Sequence, residues 1–190
     1  MGRRAGAVPL TPERIYDAGL AIIDDAGVNG LSMRRLGTAL GVDPMAVYHH
    51  VPNKDALFHG IVRRVFAEMP KPPESGTWMT RVRKWARAYK AVVEAHPNLV
   101  VQIVTSPDAV AVAAGEANGA LYRALERSGL RKADAERGAG VIVDYVNGAV
   151  LATGAGLDPA LSAALDAAFE WGLTVVLRGL EQRVPAARNS

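Results

Sequence analysis

An all-α fold follows from three features of the 190-residue sequence. Apolar side chains return at three- and four-residue steps almost throughout, and no alternating β-branched run is bounded by hairpin turns. Residues that cap helices stand one position ahead of several of these periodic stretches. Glycine and proline divide the chain into a region of short helices and a region of long ones, with the break at Pro70-Lys71-Pro72-Pro73-Glu74-Ser75-Gly76. The expected organisation is an N-terminal unit over 1–69, a linker over 70–77 and a C-terminal helical bundle over 78–190.

The first helix has Thr11 as N-cap, Pro12 at its first position and Glu13 against the positive helix end, and runs through Ile15, Ala18, Gly19, Ile22 and Ile23 to a stop at Gly27. The second starts after Ser32 and carries Met33, Leu36, Ala39 and Leu40 up to Gly41, whose missing Cβ permits a left-handed helix end. Asp43 caps a third, from Pro44 to His50, which Pro52 prevents from continuing. Asn53 caps a fourth, from Lys54 to about Met69. Beyond the linker, helices are expected near Trp78–Ala95, Leu99–Thr105, Asp108–Ser128, Lys132–Thr153 and Pro159–Leu180.

Composition narrows the class. With 49% apolar residues the chain has enough to bury a core, so a soluble globular protein is expected. Its 22 basic and 19 acidic residues leave a net charge of +3, which is compatible with nucleic-acid binding without establishing it. The absence of cysteine excludes disulfides, thiolate metal sites and cysteine nucleophiles, and agrees with a reducing cytoplasm. The N-terminus carries Arg3 and Arg4 but no apolar run of the kind a secretory signal needs. The stretch Ala139–Leu157 is interrupted by Asp144 and Asn147 and falls short of the roughly 20 apolar residues of a membrane span, so no membrane partner is expected.

The spacing of the second and third helices is the most informative feature. Two short helices separated only by Gly41-Val42-Asp43 form the helix-turn-helix arrangement, in which the second member enters a DNA major groove while the first braces it. Leu36, Leu40, Val42 and Val47 are placed to face inward, leaving Met45, Ala46, Tyr48 and His49 to a partner.

These residues resemble the tetracycline-repressor family. The resemblance rests on Gly30-Leu31-Ser32-Met33-Arg34-Arg35-Leu36, on Leu40-Gly41-Val42, and on Val47-Tyr48-His49-His50-Val51-Pro52-Asn53-Lys54-Asp55-Ala56-Leu57, and it spans about residues 11–66 without a gap. It implies a homodimer whose paired third helices sit in successive major grooves of a near-palindromic operator in double-stranded DNA. It also places Arg34, Tyr48, His50 and Lys54 against DNA, chiefly its backbone. A phenol, an imidazole and an ammonium over seven positions suit phosphate oxygens, which set register. Lys54 adds to the free N–H groups of the fourth helix. Base reading falls to Met45, Ala46 and His49, with Arg34 reaching from the second helix. The bland alternatives are a core role for Tyr48, a helix-end role for His50 and simple solvation of Lys54. For Arg3 and Arg4 a frayed terminus is the preferred reading over a minor-groove arm.

The segment Ala120–Leu151 resembles the C-terminal region of the same family through Leu125, Ser128-Gly129-Leu130 and Tyr145-Val146-Asn147-Gly148-Ala149-Val150-Leu151. The last two long helices carry more apolar surface than one bundle face hides, in Val141, Ile142, Tyr145, Val150, Leu151, Leu161, Leu165, Phe169, Leu173, Val176 and Leu177. In the family such helices form a four-helix dimer interface. A chamber for an unidentified small-molecule effector is implied by the resemblance, with Trp85, Tyr89, His96, Asn118, Tyr122 and Asn147 as candidate contacts and Trp78, Asp144 and Tyr145 nearby in pattern. Met69 or Pro70 stands where the tetracycline repressor has a ligand-reading histidine, and Pro97-Asn98-Leu99 lacks an expected threonine after His96, so tetracycline with magnesium is a poor candidate and no cofactor or metal is expected.

The expectation is therefore a ligand-responsive transcriptional repressor, with activation left open because polarity depends on where the operator lies. The competing readings are an enzyme, for which no phosphate loop or nucleophile motif precedes a helix, and a ligand-binding or protein-interaction module without DNA binding.

Overall fold

The computed structural model describes residues 9–71, 75–105, 115, 118–151 and 158–185, and nine α-helices with one 3-10 turn lie among them. Arg3 and Arg4, the start of the helix expected from Asp108, and the end of the one expected to reach Thr153 lie outside the described residues.

The N-terminal unit is built on caps. In α1 (Pro12–Ala26), Thr11 Oγ1 accepts from the Arg14 N–H at 3.3 Å. In α2 (Met33–Leu40), Ser32 Oγ accepts from the Arg35 N–H at 3.2 Å. In α3 (Pro44–Tyr48), Asp43 Oδ1 accepts from the Met45 N–H at 2.7 Å, and in α4 (Lys54–Ala67), Asn53 Oδ1 accepts from the Ala56 N–H at 2.8 Å. Each oxygen satisfies a donor that the first helical turn leaves without a partner. Gly41 closes α2 at φ 68°, ψ 31°, the left-handed geometry expected of it.

Some boundaries shift. α3 ends at Tyr48, because the N–H groups of both His50 and Val51 turn back onto the Val47 carbonyl before Pro52; His50 thus sits in a turn and not on the helix. α4 stops at Ala67, short of Met69. A 3-10 turn at Val28–Gly30, too short to carry a periodic pattern, joins α1 to α2.

α1 packs on α4 across a close approach. Gly19 faces Ile61, whose Cδ1 would lie 2.6 Å from any Cβ added there, and Gly60 faces the ring of Tyr16, so each helix contributes one glycine against a bulky side chain of the other. Around this crossing Ile15, Ile23, Leu31, Leu57 and Ile61 are fully buried.

The C-terminal unit comprises α5 (Trp78–Ala95), α6 (Pro97–Thr105), α7 (Gly119–Glu126), α8 (Lys132–Leu151) and α9 (Pro159–Glu181). α6 begins at Pro97 and not at Leu99, since proline fits the first helical position. α5, α7 and α8 pack mutually around Trp85, Leu121, Leu125 and Ile142, and α9 lies on α8 with Leu173 and Leu177 inward. Polar pairs fix α9 to α5: Arg83 Nη2 donates to Thr174 Oγ1 at 2.9 Å, and Lys90 Nζ to Asp166 Oδ1 at 2.9 Å. Arg87 pairs with Glu170, and its hydrogen bond holds that carboxyl below the usual range.

Candidate nucleic-acid interface

The turn between α2 and α3 is tight because nothing projects into it. A Cβ on Gly37 would stand 2.9 Å from the Val42 carbonyl oxygen, so the two helices close only over a bare backbone. Leu36 and Val47 pin them from below, fully buried, with Leu40 and Val42 half-buried beside them. The opposite face is solvent-exposed: Met45 is 63% and Tyr48 43% accessible, His49 and His50 are exposed, and Ala46 is half-buried. Exposure at Tyr48 disposes of the core-aromatic alternative, since its ring contributes little to the packing below.

Two adjacent arginines on α2 have different fates. Arg35 is held by Asp25 at 2.8 Å, whereas Arg34 is exposed and has no ion pair among the described residues. Arg34 thus keeps its five N–H donors for another molecule. Lys54, at the first position of α4, donates to the Val28 carbonyl of the 3-10 turn at 3.3 Å, which leaves two donors without a partner among the described residues.

In the second unit the candidate effector residues fall into two groups. Trp85 and Tyr89 are buried and stacked, ring centroids 4.8 Å apart, and Tyr89 stacks in turn on Phe66 of α4 at 5.5 Å. The Tyr89 hydroxyl donates to Asn147 Oδ1 at 3.1 Å, and burial pushes its pKa up to about 12, so it stays a donor at any physiological pH. Asn118 is also buried, and its Oδ1 has no hydrogen-bond partner among the described residues. Tyr122 and Trp78 are half-buried and Asp144 is exposed. Tyr145 spans to the next helix, its hydroxyl donating to the Phe169 carbonyl at 2.9 Å. His96 faces elsewhere: its Nδ1 lies 2.9 Å from Asp24 of α1. No group of three acidic or histidine side chains suited to a metal occurs among the described residues.

α8 and α9 expose an apolar face. Ile142, Val150, Phe169, Leu173 and Leu177 turn inward and belong to the core of one chain, while Val141, Leu151, Leu161, Trp171 and Val175 remain accessible, Trp171 to 72%. Trp171 and Val175 escaped the sequence reading, although Ala164, Ala168, Trp171 and Val175 recur at the alternating four- and three-residue spacing of a helix seam. α9 is long and apolar enough to cross a membrane, but a helix whose apolar stripe sits on a folded bundle is as well served by a second subunit.

The comparisons with known proteins meet this geometry at both ends. The model described as "Bacterial regulatory proteins, tetR family" matches residues 15–61, and that described as "Tetracyclin repressor-like, C-terminal domain" matches residues 69–164. The chain belongs to the tetR family. Among its relatives, the tetracycline repressor protein class A from transposon 1721 of Escherichia coli is 30% identical over 207 residues, covering 95% of this chain and 94% of the relative. Among solved structures, the transcriptional regulator SCO7222 of Streptomyces coelicolor superimposes with a TM-score of 0.77 at 25% identity, covering 93% of this chain and 100% of the other. The ActR protein of the same organism, in complex with (S)-DNPA, gives a TM-score of 0.71 at 26% identity, covering 94% and 100%. This tetR-family protein is therefore a DNA-binding transcriptional regulator with a tetracycline-repressor-like C-terminal domain, and its relatives are regulators and not enzymes.

Proposed function

We propose that this tetR-family regulator represses transcription in the cytoplasm as a homodimer bound to a near-palindromic operator, and leaves the DNA when a small-molecule effector occupies its C-terminal unit. The observation that carries this reading is the exposed, contiguous face of α3, flanked by Arg34, which has no ion pair among the described residues, and by Lys54 at a helix start. Tyr48, His50 and Lys54 take phosphates and Met45, Ala46, His49 and Arg34 take base edges, a division that follows from their chemistry. Residues 1–69 act as the reading unit, 70–77 as the linker and 78–190 as the effector and dimerisation unit.

The effector reading is supported by the complex of the similar ActR protein with (S)-DNPA, and in this chain by buried polar groups. Trp85, Tyr89, Asn118, Tyr122 and Asn147 are the proposed contacts, with Asn118 Oδ1, which has no partner among the described residues, as an acceptor for a ligand donor. The stack of Phe66 on Tyr89 joins α4 to this core, so a ligand that displaces Tyr89 displaces the helix behind the reading unit. Release then requires the ligand to favour the displaced state. The protein acts by binding, with no catalysed reaction.

Selecting bound fragments from random double-stranded DNA tests the reading. A two-fold symmetric consensus is expected, with two chains bound per site; absence of any enriched sequence overturns it.

A further inference from the structure

Beyond the α4 connection, a second contact joins the two units, at the C-terminal end of α1. α5 passes into α6 with a single residue between them, His96, and α6 then opens with Pro97 and Asn98. His96 Nδ1 lies within hydrogen-bond distance of both carboxylate oxygens of Asp24, at 2.9 and 3.1 Å. Asn98 Nδ2 donates to the carbonyls of Ile23 at 3.2 Å and of Asp24 at 3.0 Å. One corner of the C-terminal unit thus grips both the side chain and the terminal backbone of α1.

Two independent features give this grip a purpose. The first is local electrostatics. The last turn of α1 holds Asp24 and Asp25 and no basic residue, which places two negative charges at the negative end of the helix dipole. Such an arrangement is unfavourable within the helix and is offset, among the described residues, by the tertiary partners Arg35 for Asp25 and His96 for Asp24. The second is packing. Farther back along α1, a cleft of about 340 Å³ separates α1 and α4 from α5, bordered by Leu20, Val65, Ala88 and Val92. Across this cleft side chains do not interdigitate, so the angle between the units rests on the Phe66–Tyr89 stack at one place and on the directional hydrogen bonds of the α1 corner at another.

We infer that His96, Asn98 and Asp24 form a positioning clamp that sets the orientation of the reading unit on the C-terminal unit, and so the separation of the two α3 helices in the dimer. His96 acts through Asp24 and touches no DNA.

The absence of native cysteine allows the test to be made on the full dimer with one spin label, introduced by Ala39→Cys on the exposed surface of α2. Pulsed dipolar spectroscopy then reads the label-to-label distance, alongside affinity for an operator selected from random DNA and for unselected duplex. In Asp24→Ala/Asn98→Ala the distance distribution broadens, operator affinity falls about three- to tenfold, a modest effect because each lost hydrogen bond is exchanged for one to water, and unselected duplex binds as before. Asn98→Asp, which keeps the shape and removes the donors, gives the same pattern and decides the matter if the double variant does not fold. An unchanged distance distribution in a folded variant overturns the inference, whether or not affinity changes, as does equal weakening on both DNAs.

Discussion

Lys54 is a side chain with one observed structural contact and one proposed contact to DNA. Its ammonium donates to the Val28 carbonyl and so links the start of α4 to the turn after α1, and the donors left over are proposed to take a phosphate. Lys54→Ala is expected to weaken binding to every DNA sequence and to flatten the plot of log affinity against log salt by about one unit. Titrations between low and moderate salt measure that slope, and an unaltered value removes Lys54 from the phosphate contacts. Tyr89 works at the same scale in the other unit. In Tyr89→Phe the buried Asn147 oxygen loses its donor, a change expected to lower stability by about 1–3 kcal/mol in urea unfolding. The pH dependence has a definite sign. The phenol ionises near pH 10 when unfolded and near 12 when folded, so its contribution is complete below pH 10 and is lost as the pH climbs towards 12. Tyr89→Phe removes that part of the alkaline loss, which thermal melts from pH 8 upward would follow.

Among elements, the α1–α4 crossing carries the reading unit, and its geometry depends on the two glycines. Alanine at position 60 gains about 1 kcal/mol of helix propensity but drives a methyl into the Tyr16 ring. Overpacking of this kind costs about 1–3 kcal/mol, so Gly60→Ala is expected to lower the melting temperature, and Gly60→Ala/Tyr16→Leu to recover part of it. Recovery measures the steric conflict directly, because Tyr16 is only half-buried and its own truncation leaves the core below intact. A Gly60→Ala variant that melts higher than the native chain would show that the ring yields without cost.

For the whole molecule, the exposed stripe of α9 is the proposed subunit contact. Val175→Arg places a charge at a position 52% accessible in one chain, so the fold should persist while the dimer dissociates. Sedimentation velocity reads the species, and circular dichroism checks that helix content is retained. Operator affinity should fall with the dimer, because a lone reading unit meets only one half-site. A variant that still sediments as a dimer moves the interface away from Val175.

The caps, the glycine at the left-handed helix end and the three-residue turn determined the reading unit before any coordinates, since each acts over four residues or fewer and leaves a mark in the sequence. Local rules also located most helices of the second unit. They were silent on which apolar residues of α8 and α9 turn inward, because Leu173 and Trp171 look equally apolar along a chain and only the angle around the helix separates them. They gave no physical reason why Arg34 and not Arg35 should stay available, a reason supplied by Asp25, ten residues before Arg35 in sequence. Nor did they reveal that His96 meets Asp24 across 72 residues, for such a contact exists only once two units have folded against each other.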